Sequence, residues 1–331
     1  MKFKKLLAWT FAALAAQPSF AQSNATAPVD AWPTRPVKIV IGLPPGSGSD
    51  LLARALAQEL TEAWKQPVIV ENKPGGSGII AASSVAKSTP DGTTLFLAID
   101  ANITTNPHVF KSLPYDPIKD FAPVTMLMTF STLLVAHPSV SVSTINELIA
   151  KAKTSPGSFT YGSLGEGSNM HLLNATFEHA AGIKMMQVPY RGIPQMTTAL
   201  MTGEVQFGWL GAFTAKPLVD EGRLKALGVS GGKRSNLLPQ VPTFVEAKLP
   251  DVDVTVWYGL LAPAATPAPI VNRIHEAVAR VIAQPTFREK HLTPKGYEPS
   301  GMGTTAFADH IRKELVSREK MIKQAGVKPQ D

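Results

Sequence analysis

Short apolar runs alternate with amphipathic stretches along most of this chain, and this alternation constrains the fold more than any other feature. Val37–Ile41 is predicted as a buried strand, and residues 51–64 as a helix because leucines recur every four residues. Further strands are predicted at 68–70, 94–98, 132–136, 159–161, 186–188, 207–210 and 226–229, and further helices at 145–153, 170–180, 194–202, 270–282 and 307–323. This alternation indicates an α/β fold with mostly parallel sheets.

Composition excludes several classes of function. The 331 residues are 44% hydrophobic and 17% charged, which suits a folded protein of two domains. The chain has no cysteine, so disulfides, thiolate catalysis and cysteine-ligated zinc are excluded. Its net charge of +7 is dispersed, without the basic run that nucleic-acid binding requires, and would suit a small anionic ligand.

The first residues have the pattern of an export signal. Lys2, Lys4 and Lys5 precede an apolar stretch at 6–16 that is too short to span a bilayer. A small-x-small triplet ends at Ala21, so the predicted signal peptide is 1–21. We expect a soluble, exported protein of a bacterial periplasm.

A glycine-rich turn joins the first predicted strand to the first predicted helix in "VKIVIGLPPGSGSDLLARAL". Ser47 and Asp50 have the spacing of a helix capping box. Gly46 and Gly48 carry no side chain, so a ligand could approach the backbone amides of residues 47–49, where the helix N-terminus favours an anion. The alternative is a tight turn without a ligand.

A second segment, "YGSLGEGSNMHLL", repeats the order of strand, glycine-rich turn and helix. Gly165 and Gly167 permit close approach, and Ser163 and Ser168 add hydroxyl groups. Two such loops more than a hundred residues apart predict two lobes facing one cleft. Neither loop has the spacing of a nucleotide-binding motif.

Other candidate chemistry is sparse. Ser230 lies in a G-x-S-x-G pattern, but a polar, proline-broken segment follows it where a serine hydrolase needs a helix. His171 could face the cleft or simply cap its helix, and no histidine has metal-ligand spacing. Asp100 and Asn102 follow a predicted strand, either at the cleft or in a turn.

Several segments together resemble the Bug family of extracytoplasmic receptors of tripartite tricarboxylate transporters. They are "WPTRPVKIV", "PPGSGSD", "QPVIVENKPGGSG", "TPDGTTL", "NPHVFKSLPYDPIKDFAPVT", "YGSLGEGSNMHL", "VPYRG", "LPQVPTFVEAKLP" and "WYGLLAPAATP". The resemblance implies a two-lobed Venus-flytrap fold of type II-like periplasmic binding proteins. It also implies a bound carboxylate, held by backbone amides of the two glycine loops.

The chain departs from the family pattern at both loops. Leu43 stands where the family has phenylalanine, and Ser47 replaces a glycine. Leu210 and Gly211 replace an aspartate–asparagine pair, which disfavours an amino-acid ligand because its ammonium group would lack a carboxylate. Trp209 and Phe213 could instead wall an aromatic ligand, or both could belong to the core.

We interpret the chain as a periplasmic receptor for a small carboxylate, with an aromatic dicarboxylate as the candidate ligand, that serves a tripartite tricarboxylate-type membrane transporter. It should be a monomer without enzyme activity, cofactor, metal or nucleic-acid partner. The alternatives are a sensor for a signalling partner and a serine hydrolase.

Lobe 1 is predicted at 28–126 and 255–331, lobe 2 at 127–254, and the hinge at 124–128 and 254–258. The candidate ligand-binding residues are Leu43, Ser47, Gly48, Ser49, Asp100, Asn102, Ser163, Gly165, Glu166, Gly167, Ser168, His171, Arg191, Trp209 and Phe213.

Overall fold

A computed structural model describes residues 31–252 and 254–329. The predicted signal peptide and its cleavage site after Ala21 lie outside these residues. Within them the strands form two sheets, of six and five strands. The first sheet has the order β11-β4-β10-β3-β1-β2, and the second has the order β7-β6-β8-β5-β9.

The strands agree with the sequence pattern wherever apolar residues are continuous. Their bounds are β1 Val37–Ile41, β2 Val68–Asn72, β3 Thr94–Ile99, β4 Phe121–Phe130, β5 Thr132–Ala136, β6 Thr160–Ser163, β7 Met186–Pro189, β8 Phe207–Gly211, β9 Lys225–Val229, β10 Val256–Pro263 and β11 Glu298–Met302. Strand β11 was not predicted, because its sequence "EPSGM" has neither an apolar run nor a clear alternation.

The helices fill the intervals between most strands. They are α1 Gly48–Trp64, α2 Ile79–Ala86, α3 Asn106–Val109, α4 Ile145–Thr154, α5 Asn169–Ala181, α6 Ile193–Thr202, α7 Ala212–Asp220, α8 Ala268–Ala283, α9 Pro285–Phe287 and α10 Thr304–Gln324, with a π-helical turn at Ala101–Thr105. No helix in the described part of the chain has both the length and the apolar character needed to cross a membrane.

Both sheets are mixed, which corrects the prediction of mostly parallel sheets. Strand β1 pairs in parallel with β2 and β3, whereas β10 runs antiparallel to both β3 and β4. In the second sheet, β6 pairs in parallel with β7 and β8, but β5 is antiparallel to β8 and β9. The antiparallel pairs involve β4, β5 and β10, which lie where the chain passes from one sheet to the other.

The chain crosses to the second sheet over a single residue and returns over a much longer segment. Strand β4 ends at Phe130 and β5 begins at Thr132, so Ser131 alone connects the first sheet to the second. The return leads from the end of β9 at Val229 to the start of β10 at Val256. These crossings lie near the predicted hinge. The hinge itself and the lobe limits at 126/127 and 254/255 stay predictions.

Each sheet has its own apolar core. The core of the first sheet includes Phe96, Trp257 and Phe307, and that of the second includes Phe177 and Trp209. A smaller apolar cluster links the two, because Val109 and Ile322 pack with Leu172 of α5. Helix α10 therefore packs on the first core near its start and contacts α5 near its end.

Candidate ligand-binding site

The first glycine loop, residues 42–47, ends in a side-chain cap on α1. The Ser47 hydroxyl accepts a hydrogen bond from the Asp50 amide at 3.4 Å. The Asp50 carboxylate reaches back to the Gly46 amide at 2.8 Å, one residue before the cap, while the Ser47 amide donates to the Pro44 carbonyl. The predicted capping box is thus present, but the Asp50 carboxylate binds the amide of Gly46 instead of that of the cap residue Ser47.

Asp50 anchors this loop. Its carboxylate is buried and accepts hydrogen bonds from Arg54 and from Asn72, both at 3.0 Å. Burial by itself would raise the pKa of Asp50, but the bonds from Arg54, Gly46 and Asn72 hold that pKa below its ordinary value. Asn72 also donates to the Leu43 carbonyl at 3.0 Å, so both ends of the loop are fixed to one ionised carboxylate network.

The second glycine loop, residues 164–168, is held by neutral groups. The Ser168 hydroxyl accepts from the His171 amide at 3.3 Å and donates to the Gly165 carbonyl at 2.7 Å. The Gly165 amide donates to the Ser163 hydroxyl at 3.1 Å, and the Gly167 amide donates to His171 Nδ1 at 3.0 Å.

His171 therefore acts within the loop as a hydrogen-bond acceptor. Burial lowers the pKa of His171, although the nearby Glu166 opposes this shift. A ring nitrogen that accepts from an amide carries no proton, so the hydrogen-bond network assigns the neutral tautomer with the proton on Nε2. The sequence left open whether His171 caps its helix or faces the cleft, and the structure shows it closing the loop.

The amides that remain for a ligand are in the first turns of the two helices. A helix has no internal partners for its first amides. In α1 the Ser47 cap takes the amides of Asp50 and Leu51, which leaves Gly48 and Ser49. In α5 the Ser168 cap takes the amides of His171 and Leu172, and no described hydrogen bond uses those of Asn169 and Met170.

This distribution corrects part of the predicted donor set. The amides of Gly165, Gly167 and Ser168 bond inside their own loop. The sequence could not show this, because it places polar groups near one another without saying which pairs form. The candidate donors of this loop are therefore the unused amides of Asn169 and Met170.

The hydroxyl groups of two tyrosines, which no sequence pattern indicated, lie at the start of α1. A Cβ atom at Gly48 would lie 2.6 Å from the Tyr297 hydroxyl oxygen and 3.3 Å from that of Tyr258. Burial raises the pKa of Tyr297 to about 12, and burial also raises the pKa of Tyr258. Both phenols are therefore neutral, and Tyr258 donates its proton to the Tyr297 oxygen, which leaves the Tyr297 hydroxyl to donate near the amides of α1.

These tyrosines pack with a third ring. Phe130 lies 5.3 Å from Tyr258 and 5.5 Å from Tyr297, measured between ring centroids. The three residues, here called the aromatic cluster, come from β4, β10 and the segment before β11. No local pattern in the sequence relates them to a glycine loop about 80 to 250 residues away; the only available signal is that tyrosine favours places with one apolar and one polar side.

Trp209 does not wall a cleft, which corrects that expectation. Its side chain has no exposed surface, its ring lies 5.2 Å from Phe244, and its Nε1 donates to Asn174 Oδ1 at 3.4 Å. It is a core residue of the second sheet. Phe213 is half-exposed in the first turn of α7, so the two aromatic residues do not act as a pair.

Asp100 and Asn102 lie at the end of β3 and hold structure. Asp100 is fully buried and accepts from Arg318 at 2.7 Å and from Asn169 at 3.2 Å. Asn102 donates to the Ser77 carbonyl at 2.8 Å. In this arrangement neither side chain is available as a direct ligand contact.

The remaining candidate residues differ in exposure. Leu43, Ser47 and Gly48 are half-buried and Ser49 is buried, and the last three form the cap and first turn of α1. Glu166 and Arg191 are exposed. Their roles as ligand contacts stay predictions.

Ser230 has no access to a substrate. It is fully buried, and its hydroxyl lies 2.8 Å from the Thr132 hydroxyl and accepts from the Thr132 amide at 3.2 Å. The backbone of Ser230 also bonds to Thr132. Ser230 thus ties β9 to β5, and the G-x-S-x-G pattern has a structural explanation.

Two sheets, each with its own core and its own capped helix start, form a two-lobed α/β fold. Residues 52–327 match the family described as "Tripartite tricarboxylate transporter family receptor" (TctC), and the chain belongs to that family. The resemblance read from the sequence and the α/β two-lobed fold are therefore confirmed.

Curated relatives cover nearly the whole chain. The chain is 33% identical over 305 residues to a UPF0065 protein of Bordetella pertussis, covering 92% of this chain and 94% of that protein. It is 31% identical over 281 residues to Protein BugT of the same organism, covering 83% and 86%.

Solved structures agree in fold. R. palustris Rpa4515, solved with adipate, is 33% identical with a TM-score of 0.83, covering 90% of this chain and 100% of that chain. MatC from Rhodopseudomonas palustris, with bound malate, is 29% identical with a TM-score of 0.78, covering 88% and 100%.

Proposed function

We propose that this protein is a periplasmic solute-binding receptor that captures a small carboxylate between its two lobes, without catalysing a reaction. The observation that carries the proposal is the pair of open helix N-termini, with the amides of Gly48 and Ser49 on α1 and those of Asn169 and Met170 on α5. Support also comes from the adipate and malate in the related structures.

The chemistry of these amides suits a carboxylate. Each helix N-terminus carries roughly half a positive charge and has unpaired N–H groups. Two such ends directed at one anion supply donors without burying a cationic side chain. The neutral hydroxyl of Tyr297 beside Gly48, which accepts from Tyr258, adds one further donor.

The body of the ligand is proposed to be aromatic, with a second carboxylate. The wall for its ring is now assigned to Phe130 and Tyr297 of the aromatic cluster, which are half-buried, since Trp209 and Tyr258 are buried. A ring in offset or edge contact with such a wall gains about 0.5–1.5 kcal/mol beyond its area term. Amino acids should bind weakly, because the buried Leu210 offers their ammonium group no carboxylate.

The cellular role follows from the same proposal. The receptor would be exported by its signal peptide, act as a monomer in the periplasm, and deliver the carboxylate to a membrane transporter of the tripartite tricarboxylate type. Ligand binding would shift the population of lobes from open to closed.

Isothermal titration calorimetry tests the proposal with adipate, malate, terephthalate, citrate and glutamate. Gly48→Pro is the informative variant, because Gly48 is the first helical residue of α1, where the helical backbone accepts proline but the amide donor is lost. Gly48→Ala is its matched control, since it adds a Cβ atom at the same place and keeps the amide.

We expect at least one of the carboxylates to bind and Gly48→Pro to weaken it about tenfold more than Gly48→Ala, the size of a lost hydrogen bond to a charged group. Equal affinities of the two variants would show that the α1 amide is not a donor. Tight binding of glutamate, or of no carboxylate, would contradict the proposed ligand class.

A further inference from the structure

Asp100 is buried in the centre of a polar contact between three separate elements. It directly follows β3 of the first sheet and has no exposed surface. Arg318 of α10 lies 2.7 Å away and is itself only 3% exposed. The third partner is Asn169, the first residue of α5, whose Nδ2 donates to Asp100 Oδ1 at 3.2 Å.

The three elements belong to different parts of the fold. Asp100 and Arg318 lie with the first sheet, because Phe307 and Ile311 pack α10 into its core. Helix α5 lies with the second sheet, where Leu173 and Phe177 join the core. The bond from Asn169 to Asp100 therefore connects the first sheet to the starting turn of a helix of the second.

A buried carboxylate needs partners to stay ionised, and here they are unequal. Arg318 supplies charge and is also held by Glu314 at 2.9 Å. Asn169 supplies one neutral N–H. Its other polar atom, Oδ1, is buried and accepts no hydrogen bond from the described residues.

We propose that Asn169 is a positioning residue, which fixes the first turn of α5 against the first sheet by donating to the Asp100–Arg318 ion pair. This inference rests on the proposed function in one respect, because the turn that Asn169 opens presents two of the four proposed carboxylate donors. Asn169 thereby sets the spacing between the amides of α5 and those of α1.

The competing explanation is that Asn169 merely begins a helix. The two explanations predict opposite results for Asn169→Asp. An acidic residue in the first turn complements the helix dipole, so a purely local role predicts an unchanged or more stable α5. A positioning role predicts repulsion, because the new carboxylate would face the buried carboxylate of Asp100.

The experiment compares Asn169→Asp and Asn169→Ala with the wild-type chain. The control is Glu319→Gln, which removes an exposed ion pair with Lys323 on α10 near Arg318. Three measurements are made on each: affinity for adipate by calorimetry, the unfolding midpoint, and the radius of gyration without ligand by small-angle X-ray scattering.

We expect affinity to fall about tenfold in Asn169→Ala and about a hundredfold in Asn169→Asp, the range for hydrogen bonds to charged groups. The radius of gyration should rise in both variants, because the sheets separate, whereas Glu319→Gln should match the wild type in all three measurements. An Asn169→Asp protein with wild-type affinity and radius would overturn the inference.

Failure of the proposed function has a different signature. If the wild-type chain binds neither adipate nor another carboxylate, the scattering comparison alone decides the positioning role. A radius of gyration larger in Asn169→Asp than in the wild type then supports the inference, and an unchanged radius refutes it.

Discussion

The two glycine loops look alike in sequence but are held by different chemistry. In the first, a carboxylate organises the turn, because Asp50 binds the Gly46 amide, Arg54 and Asn72. In the second, neutral groups do so, because the Ser163 hydroxyl and the His171 imidazole take the amides of the glycines. Both arrangements leave two amides open at the helix start.

The comparison shows that the shared glycine-rich pattern predicts the open amides at the helix start. It does not predict which groups hold the loop in place. A helix N-terminus can keep its first two amides open only if the preceding loop satisfies its own polar groups. A charged anchor and a neutral anchor both meet this condition. They differ in strength and in their response to pH, and these differences can be measured.

The largest difference should appear when each anchor is removed. Asp50→Asn takes the charge from a buried carboxylate with three partners and should cost about 2–3 kcal/mol of unfolding free energy. Ser163→Ala removes a neutral acceptor of two bonds and should cost about 1–2 kcal/mol. Urea unfolding of both variants gives the two values, and a larger loss in Ser163→Ala would reverse the proposed ranking of the anchors.

Substitution of Gly48, next to the first loop, and of Gly165, in the second, should lower stability for different physical reasons. At Gly48 a methyl group would meet Tyr297, so Gly48→Ala should cost about 1–2 kcal/mol through close packing. Tyr297→Phe in the same chain should recover part of this loss, because it removes the hydroxyl oxygen that the methyl group meets. If thermal unfolding shows that Tyr297→Phe recovers none of the stability lost in Gly48→Ala, the loss comes from the backbone and not from contact with Tyr297.

Gly165 provides the contrasting case in the second loop. Its φ angle is +96° and a Cβ atom there would have no neighbour within 4 Å. Gly165→Ala should cost about 1 kcal/mol through backbone strain alone. Tyr297→Phe should not change this loss, and a rescue there would contradict the distinction between the two loops.

The smallest predicted difference concerns pH. Burial lowers the pKa of His171 in the folded protein, so the unfolded chain binds the proton more readily. Stability from this group is complete above the ordinary histidine pKa of about 6.5 and is lost as pH falls through the lower, folded value.

Unfolding free energies between pH 8 and pH 5 measure this effect. The wild-type value should fall more steeply toward pH 5 than that of His171→Gln, which has no imidazole to protonate. Comparison with the variant is needed, because burial also lowers the pKa of His108 and His291. Parallel curves would show that the second loop tolerates a charged imidazole.

Local features of the site were predictable from the sequence. The strand β1 agrees with its prediction, and α1 and α5 begin after Ser47 and Ser168, the small polar residues that favour helix caps. The two anion-suited helix starts follow from these caps, because capping and the orphan amides depend on neighbours within four residues. The family was predicted from nine short sequence segments taken together.

Which groups meet across the chain was decided only by the tertiary structure. Arg318 lies 218 positions from Asp100, and Tyr258 and Tyr297 come from far beyond Gly48, yet each pair is in contact. The same holds for Trp209, whose place in the core depends on Phe244 and Asn174 and not on its own strand. Periodicity and capping are encoded by near neighbours, whereas burial and long-range partners depend on how the sheets pack, which no short stretch contains.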